Sequence, residues 1–197
     1  REENANKKEE LSEEELKDVI KEIADWGDIG VSFAGGEPLI RKEEVLNCIR
    51  LAKERGLKTY MTTNGKRIDR DLAKDIVESG LDFISISLDG IEKETNNLIR
   101  WEGSYSGAKN AIQNLKEAQE EGSNLKVGLT TVVTDKNIDE LMNLHKFAVK
   151  KDLYEINYNP YVPDNSFMGK VDYENDEFWV QGDKIPQLRE VTKELLD

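Results

Sequence analysis

Short runs rich in β-branched and aromatic residues alternate along this chain with longer runs whose apolar residues recur every three or four positions. This alternation constrains the fold more than any single motif does. IGVSFA (29–34), LKTYMTT (57–63), DFISISL (82–88), LKVGLTTVV (125–133) and LYEINYNPYV (153–162) read as strands. Between them, helical spacing is kept by Val45, Cys48, Ile49 and Ala52, and then by Leu72, Ala73, Ile76 and Val77. It returns in Ala108, Ala111, Ile112, Leu115 and Ala118, and again in Ile138, Leu141, Leu144 and Ala148. Strands and helices alternating at intervals of roughly 25 to 45 residues imply right-handed crossovers and a parallel sheet, either doubly wound or curled into a barrel. From Tyr158 to Asp183 no clean periodicity survives beyond the end of the fifth strand, and a last helix is expected from Pro186. The organisation is therefore a charged arm (1–11), an α/β core (12–163) and a C-terminal extension (164–197) with a terminal helix.

The first element is a helix. Ser12 with Glu15 has the form of a capping box, Leu11 and Leu16 form a staple across it, and Leu16, Val19, Ile20 and Ile23 give the apolar face up to Trp26-Gly27. A barrel of βα units should open with a strand, so a strand is expected before this helix.

The 197 residues, 37% hydrophobic, suit one domain with a packed core. Nothing approaches the 18 or so apolar residues of a membrane helix, and the N-terminus lacks the apolar segment of a secretory signal, so a cytoplasmic location without membrane contact is expected. With 28 basic against 41 acidic residues the net charge is -13, which disfavours nucleic acid and anionic lipid as partners. Cys48 is the only cysteine, so the chain offers no internal disulfide and no thiolate cluster for a metal. Its helical register makes it a core residue. His145, the single histidine, sits at the border of an amphipathic face and reads as structural.

In parallel α/β folds ligands lie at the carboxyl ends of the strands. Here those ends are small and polar: Gly35-Gly36-Glu37-Pro38, Thr62-Thr63-Asn64-Gly65, Ser85, Ser87 and Asp89-Gly90, then Thr131 and Thr134. Such a rim offers main-chain groups and hydroxyls but few catalytic acids or bases. Its local alternatives are plain ones: a tight turn at Gly35–Pro38, an Asx turn at Thr63-Asn64-Gly65, a helix cap at Ser87 or Asp89, and a solvated Arg100.

GGEP closing one strand, TNG one unit on and SISLDG two units on together resemble the radical S-adenosylmethionine (radical SAM) enzymes. NNLIRWEGSYSGAKNAI and TTVVTDKNIDEL are similar to the peptide-modifying and cofactor-maturing branch, so the resemblance runs from about Ser12 to Pro163. It implies a partial (β/α)6 TIM-like barrel and a [4Fe-4S] cluster held by a C-x-x-x-C-x-x-C loop after the first strand. That loop is absent here, at the place where the periodicity already lacks a strand, so the chain is expected to be a fragment carrying the organic half of the cofactor site, with no metal ligand of its own. By resemblance, Gly35, Gly36, Glu37 and Pro38 would receive the methionine ammonium of S-adenosylmethionine, and Ser87 and Arg100 its carboxylate. Thr63, Asn64 and Asp89 would assist, and Thr131 and Val133 would flank the adenine. Tyr158, Asn159 and Tyr161 are candidates for the substrate side.

The activity implied is reductive cleavage of the sulfonium to a 5'-deoxyadenosyl radical, which takes hydrogen from a peptide or cofactor precursor. A flavodoxin or ferredoxin would supply the electron, and no residue stands out as a catalytic base. The rival reading is a cluster-free barrel used as a binding or scaffold module. A doubly wound phosphate-binding enzyme fits poorly, because the glycine turn has neither a P-loop lysine nor a G-x-G-x-x-G pattern.

Overall fold

The computed structural model describes residues 10–27, 30–119, 123–163, 173 and 175–196. Its centre is one sheet of five strands, β1 (Gly30–Phe33), β2 (Lys58–Thr63), β3 (Phe83–Ser87), β4 (Lys126–Val133) and β5 (Ile156–Pro160). All neighbours are parallel, and their spatial order is their order in the chain. A doubly wound sheet needs a reversal of strand order to place helices on both faces, and none occurs. Right-handed crossovers in unbroken sequence stack the helices on one face and curl the sheet away from them, which gives a half-barrel.

The helices on the outer face are α1 (Glu13–Asp25), α2 (Lys42–Glu54), α3 (Arg70–Glu78), α4 (Lys93–Ile99), α5 (Ser104–Ala118), α6 (Leu141–Lys150) and α7 (Ile185–Leu196). Strand periodicity separates the two faces of the sheet. In β2 the side chains of Thr59, Met61 and Thr63 are buried against helices, and those of Lys58, Tyr60 and Thr62 are exposed on the inner side. The core lies between sheet and helices. Leu46, Ile49, Ile76, Ile84, Ile86, Ile112, Leu115 and Leu129 are its fully buried centre, and each such side chain contributes roughly 1.5–3 kcal/mol on burial.

The capping box before α1 forms: Ser12 Oγ accepts from the Glu15 amide, and Glu15 accepts from the Ser12 amide. Ile20 of α1 packs with Cys48, Ala52 and Leu57 in a second, smaller cluster. Cys48 is 1% exposed, and burial pushes its thiol up from the usual range. α4 was not expected from the sequence, because its seven residues carry no apolar period and its N-cap Glu92 makes no side-chain cap. A residue from another unit holds it instead, since Glu140 accepts from the amides of Ile91 and Glu92. The fifth strand is also shorter than its apolar run. Among the described residues, no helix is long and apolar enough to cross a membrane.

Candidate functional site

The carboxyl ends of β1 to β4 form one rim, and its two halves are built differently. After β1 the chain turns through Gly35 at φ +130, a conformation that side chains rarely adopt. A Cβ on Gly35 or Gly36 would meet nothing within 4 Å, so this backbone faces open space. Pro38 starts the 3-10 turn Pro38–Arg41 that leads into α2. The Glu37 carboxylate turns toward the protein: one oxygen accepts from Leu39 N (3.1 Å) and Thr63 Oγ1 (2.6 Å), the other from Asn64 N (2.9 Å). It therefore fastens the end of β1 to the end of β2. The Thr63-Asn64-Gly65 turn is completed by its own side chains, Thr63 Oγ1 accepting from Gly65 N and Asn64 Oδ1 from Lys66 N. Gly65, at φ +75, leaves no room for a side chain, since a Cβ would lie 2.8 Å from Ala111.

The second half hangs on Asp89, which follows β3 and is 1% exposed. Its carboxylate meets Arg100 Nε at 2.6 Å and Nη2 at 3.2 Å, and accepts from Val132 N at 2.8 Å. Burial raises the Asp89 carboxyl above its ordinary range, opposed by the Arg100 charge and the Val132 amide. Arg100 closes α4 and keeps 16% of its side chain exposed beside this pairing. Asn96 accepts from the amides of Asp89 and Gly90, and donates to Ser104. Asn137 donates to the carbonyls of Asp89 and Val132 and accepts from Thr134 N.

These placements sort the residues singled out from the sequence. Gly35, Gly36, Pro38, Asn64, Ser87 and Arg100 come together on the rim. Glu37, Thr63 and Asp89 stand behind it with their polar atoms already engaged, so they shape the rim rather than line it. Thr131 and Val133 do not face the opening. Thr131 is fully buried on the helix side and donates to Leu88 O, and Val133 packs on the core. Strand parity also turns Tyr158 to the helices, where its hydroxyl donates to Leu141 O and burial pushes it up to about 12. Asn159, of opposite parity, faces inward and donates to Thr130 Oγ1 (2.8 Å). Tyr161 lies beyond the strand, with its hydroxyl on Asp176 and its ring against Phe178. Asn96, Asn137 and Glu140 were missed in the sequence, where an asparagine or glutamate in a loop signals nothing without its distant partner.

The strand-end rim with its Asp89–Arg100 pair closes a one-sided parallel half-barrel of βα units. The Radical SAM superfamily profile matches residues 2–148, and the chain belongs to that superfamily. It is 39% identical over 132 residues to the Fe-coproporphyrin III synthase of Methanosarcina barkeri, covering 67% of this chain and 32% of that protein. It is 31% identical over 188 residues to a probable GTP 3',8-cyclase of Sulfurisphaera tokodaii, covering 95% and 56%. The structure of native anSMEcpe with bound AdoMet and Cp18Cys peptide shares the fold with a TM-score of 0.75 at 18% identity, covering 94% of this chain and 52% of that one. The chain thus spans from about a third to just over half the length of these relatives.

Proposed function

We propose that this chain is the part of a radical SAM enzyme that binds the organic half of S-adenosylmethionine, on the rim formed after β1, β2 and β3. The observation that carries this reading is the open Gly35-Gly36 backbone, fastened by the Glu37 carboxylate to the Thr63-Asn64 turn, with Arg100 held by Asp89 after the next strand, β3. The residues present fit the cofactor's zwitterionic end. Strand-end carbonyls accept from an ammonium, and the Glu37 charge behind them favours it; Arg100 would meet a carboxylate with the donors left beyond its Nε and Nη2 contacts with Asp89. Asp89 keeps that fork aimed, and Ser87 adds a hydroxyl at the end of β3.

The residues present do not fit an iron-sulfur cluster. Cys48, the one cysteine, is buried between α1 and α2, and no group of three potential metal ligands gathers among the described residues. In this superfamily the bound cofactor supplies a carbon radical that abstracts hydrogen from substrate. This chain's part is to fix the cofactor's amino-acid end and to hold substrate beside it with water excluded. The substrate proposed is a peptide or a cofactor precursor, with a flavodoxin- or ferredoxin-like donor providing the electron.

The test is the full-length gene product reconstituted without oxygen, assayed for iron and for 5'-deoxyadenosine release from S-adenosylmethionine under reduction. About four irons per chain and nucleoside release are expected, with release lost in Arg100→Ala. Iron-free protein that releases no nucleoside would leave a binding module in place of the enzyme.

A further inference from the structure

We propose that the inner wall of the half-barrel selects an uncharged, amide-bearing substrate, a peptide segment with an aromatic or aliphatic side chain pointing to the wall's floor, over polyanions such as nucleoside triphosphates or polycarboxylate porphyrins. This deepens the cofactor reading above and rests on it. The strand register builds the wall in rows. At the bottom, Tyr60 and Phe83 are paired neighbours whose rings meet edge to face at 6.4 Å, and Tyr154 continues the layer at 6.1 Å from Phe83.

Two glycines make room for that floor. A Cβ on Gly30 would lie 2.8 Å from the Tyr60 ring, and one on Gly128 would lie 2.9 Å from the Phe83 ring. Tyr60 is 43% exposed, so the floor is open from above. The next row is Thr62, Ser85 and Gly128, and the one above it aligns Ser87, Thr130 and Asn157. Ser85 is 3% exposed and its Oγ has no hydrogen-bond partner. An orphaned buried hydroxyl costs about 1–3 kcal/mol, and strand parity puts this one on the inner face in the row of Thr62.

Charge decides the class of ligand. Among the described residues, these two rows carry no charged side chain. The cations Lys58 and Lys126 lie at or below the floor, Lys58 beside Asp82 and Lys126 over the Tyr154 ring. Glu155, next to the wall, takes the Asn157 amide at 2.6 Å and adds negative charge. A polyanion resting on these two rows would lose its hydration with no cation in them to receive it. Hydroxyls and the asparagine amides of Asn157 and Asn159 both donate and accept, which matches main-chain amides, and the aromatic floor takes an apolar side chain.

The experiment uses the full-length reconstituted protein with S-adenosylmethionine bound. Probes are N-acetyl tripeptide amides with Tyr, Leu or Asp at the centre, GTP, and coproporphyrin III, and binding is read by ligand-observed NMR and calorimetry. The Tyr and Leu peptides are expected to bind more tightly than the Asp peptide and both anions. Thr62→Lys, an exposed substitution that the fold tolerates, should weaken the Tyr peptide by roughly tenfold and shift preference to the Asp peptide. Tighter binding of either anion, no peptide binding while S-adenosylmethionine still binds, or peptide affinity indifferent to Thr62→Lys overturns the inner-wall assignment alone. Peptide binding without S-adenosylmethionine binding strikes the rim reading alone.

Discussion

Two aspartates bracket the same strand and have opposite environments. Asp82 precedes β3 at the amino end of the sheet, and Asp89 follows it at the carboxyl end. Both accept a backbone amide from a neighbouring strand, Thr59 N for Asp82 and Val132 N for Asp89, each at 2.8 Å. Both also hold a cation, Lys53 at 2.7 Å and Arg100 at 2.6 Å. They differ in burial: the Asp82 side chain is 21% exposed and that of Asp89 is 2%. At Asp82 burial works upward but is outweighed by hydrogen bonds from Lys53 and from the Thr59 amide and hydroxyl, so the carboxyl falls below its ordinary range. At Asp89 burial dominates and the carboxyl rises. The wet aspartate is a fastener among α2, β2 and β3. The dry one costs stability that its partners must offset, which is what a group kept for a site looks like.

The strongest way to break this comparison is Asp89→Asn. The amide keeps one acceptor oxygen where the carboxylate has two, so the Arg100 donors and the Val132 amide cannot all stay paired in this dry site, a loss on the order of 3 kcal/mol. Urea denaturation would show it as a lower midpoint with an unchanged slope, and S-adenosylmethionine affinity of the full-length enzyme should fall with it. A cost below about 1 kcal/mol, the range of an exposed pair, would mean that the rim pair is solvated and that Asp89 is no more special than Asp82.

Next in size is Asn137→Ala. This fully buried amide serves two carbonyls and one amide, on Asp89, Val132 and Thr134. Each group left unpaired costs roughly 1–3 kcal/mol where water cannot reach it, so a loss of about 3 kcal/mol is expected, again read from the urea midpoint. Asn137→Asp, which keeps the acceptor but loses the two donors, should recover little. Full recovery would show that the contact to Thr134 alone matters and that the Asp89 carbonyl is not held from β4.

These two residues also mark what could be read in advance. The alternation of strands and helices, the parallel sheet and the capping box were all legible, because each is written in periods of a few residues. The three glycine- and serine-rich strand ends were legible for the same reason. What escaped was long-range polar pairing: Asn137 to Asp89 spans 48 residues, as does Glu140 to Glu92, and no local pattern marks either. Tyr158 and Thr131 show what strand parity hides, since both side chains turn to the helix side. Reading β4 and β5 as polar near their ends gives residue types but not faces, and one step of register turns a side chain from the opening to the helices.

The smaller effects sit at the other aspartate. Asp82→Asn keeps the Thr59 hydrogen bonds but loses the charge facing Lys53 and Lys58, and the pair is partly exposed and screened, so about 1 kcal/mol at neutral pH is expected. The loss should shrink further in 1 M salt. An effect as large as that of Asp89→Asn would mean that the amino end is as dry as the rim.

Acid separates the two groups by sign. The folded carboxyl of Asp82 is depressed, so its contribution is fully present above the unfolded value, about 3.9, and is lost as pH falls through the lower folded value. That of Asp89 is raised, so the folded chain takes this proton more readily than the unfolded one, and acidification through this group favours the fold while releasing Arg100 from its partner. On descending toward pH 4, binding of S-adenosylmethionine should therefore change before stability does, and Asp89→Asn should remove that early change. Asp82→Asn should instead flatten the acid limb of the stability curve below about pH 4 and leave the binding profile alone. If binding and stability fell together in the native enzyme, with both limbs removed by Asp82→Asn, the two ends of β3 would form one titrating unit, and the division between fastener and site would fail.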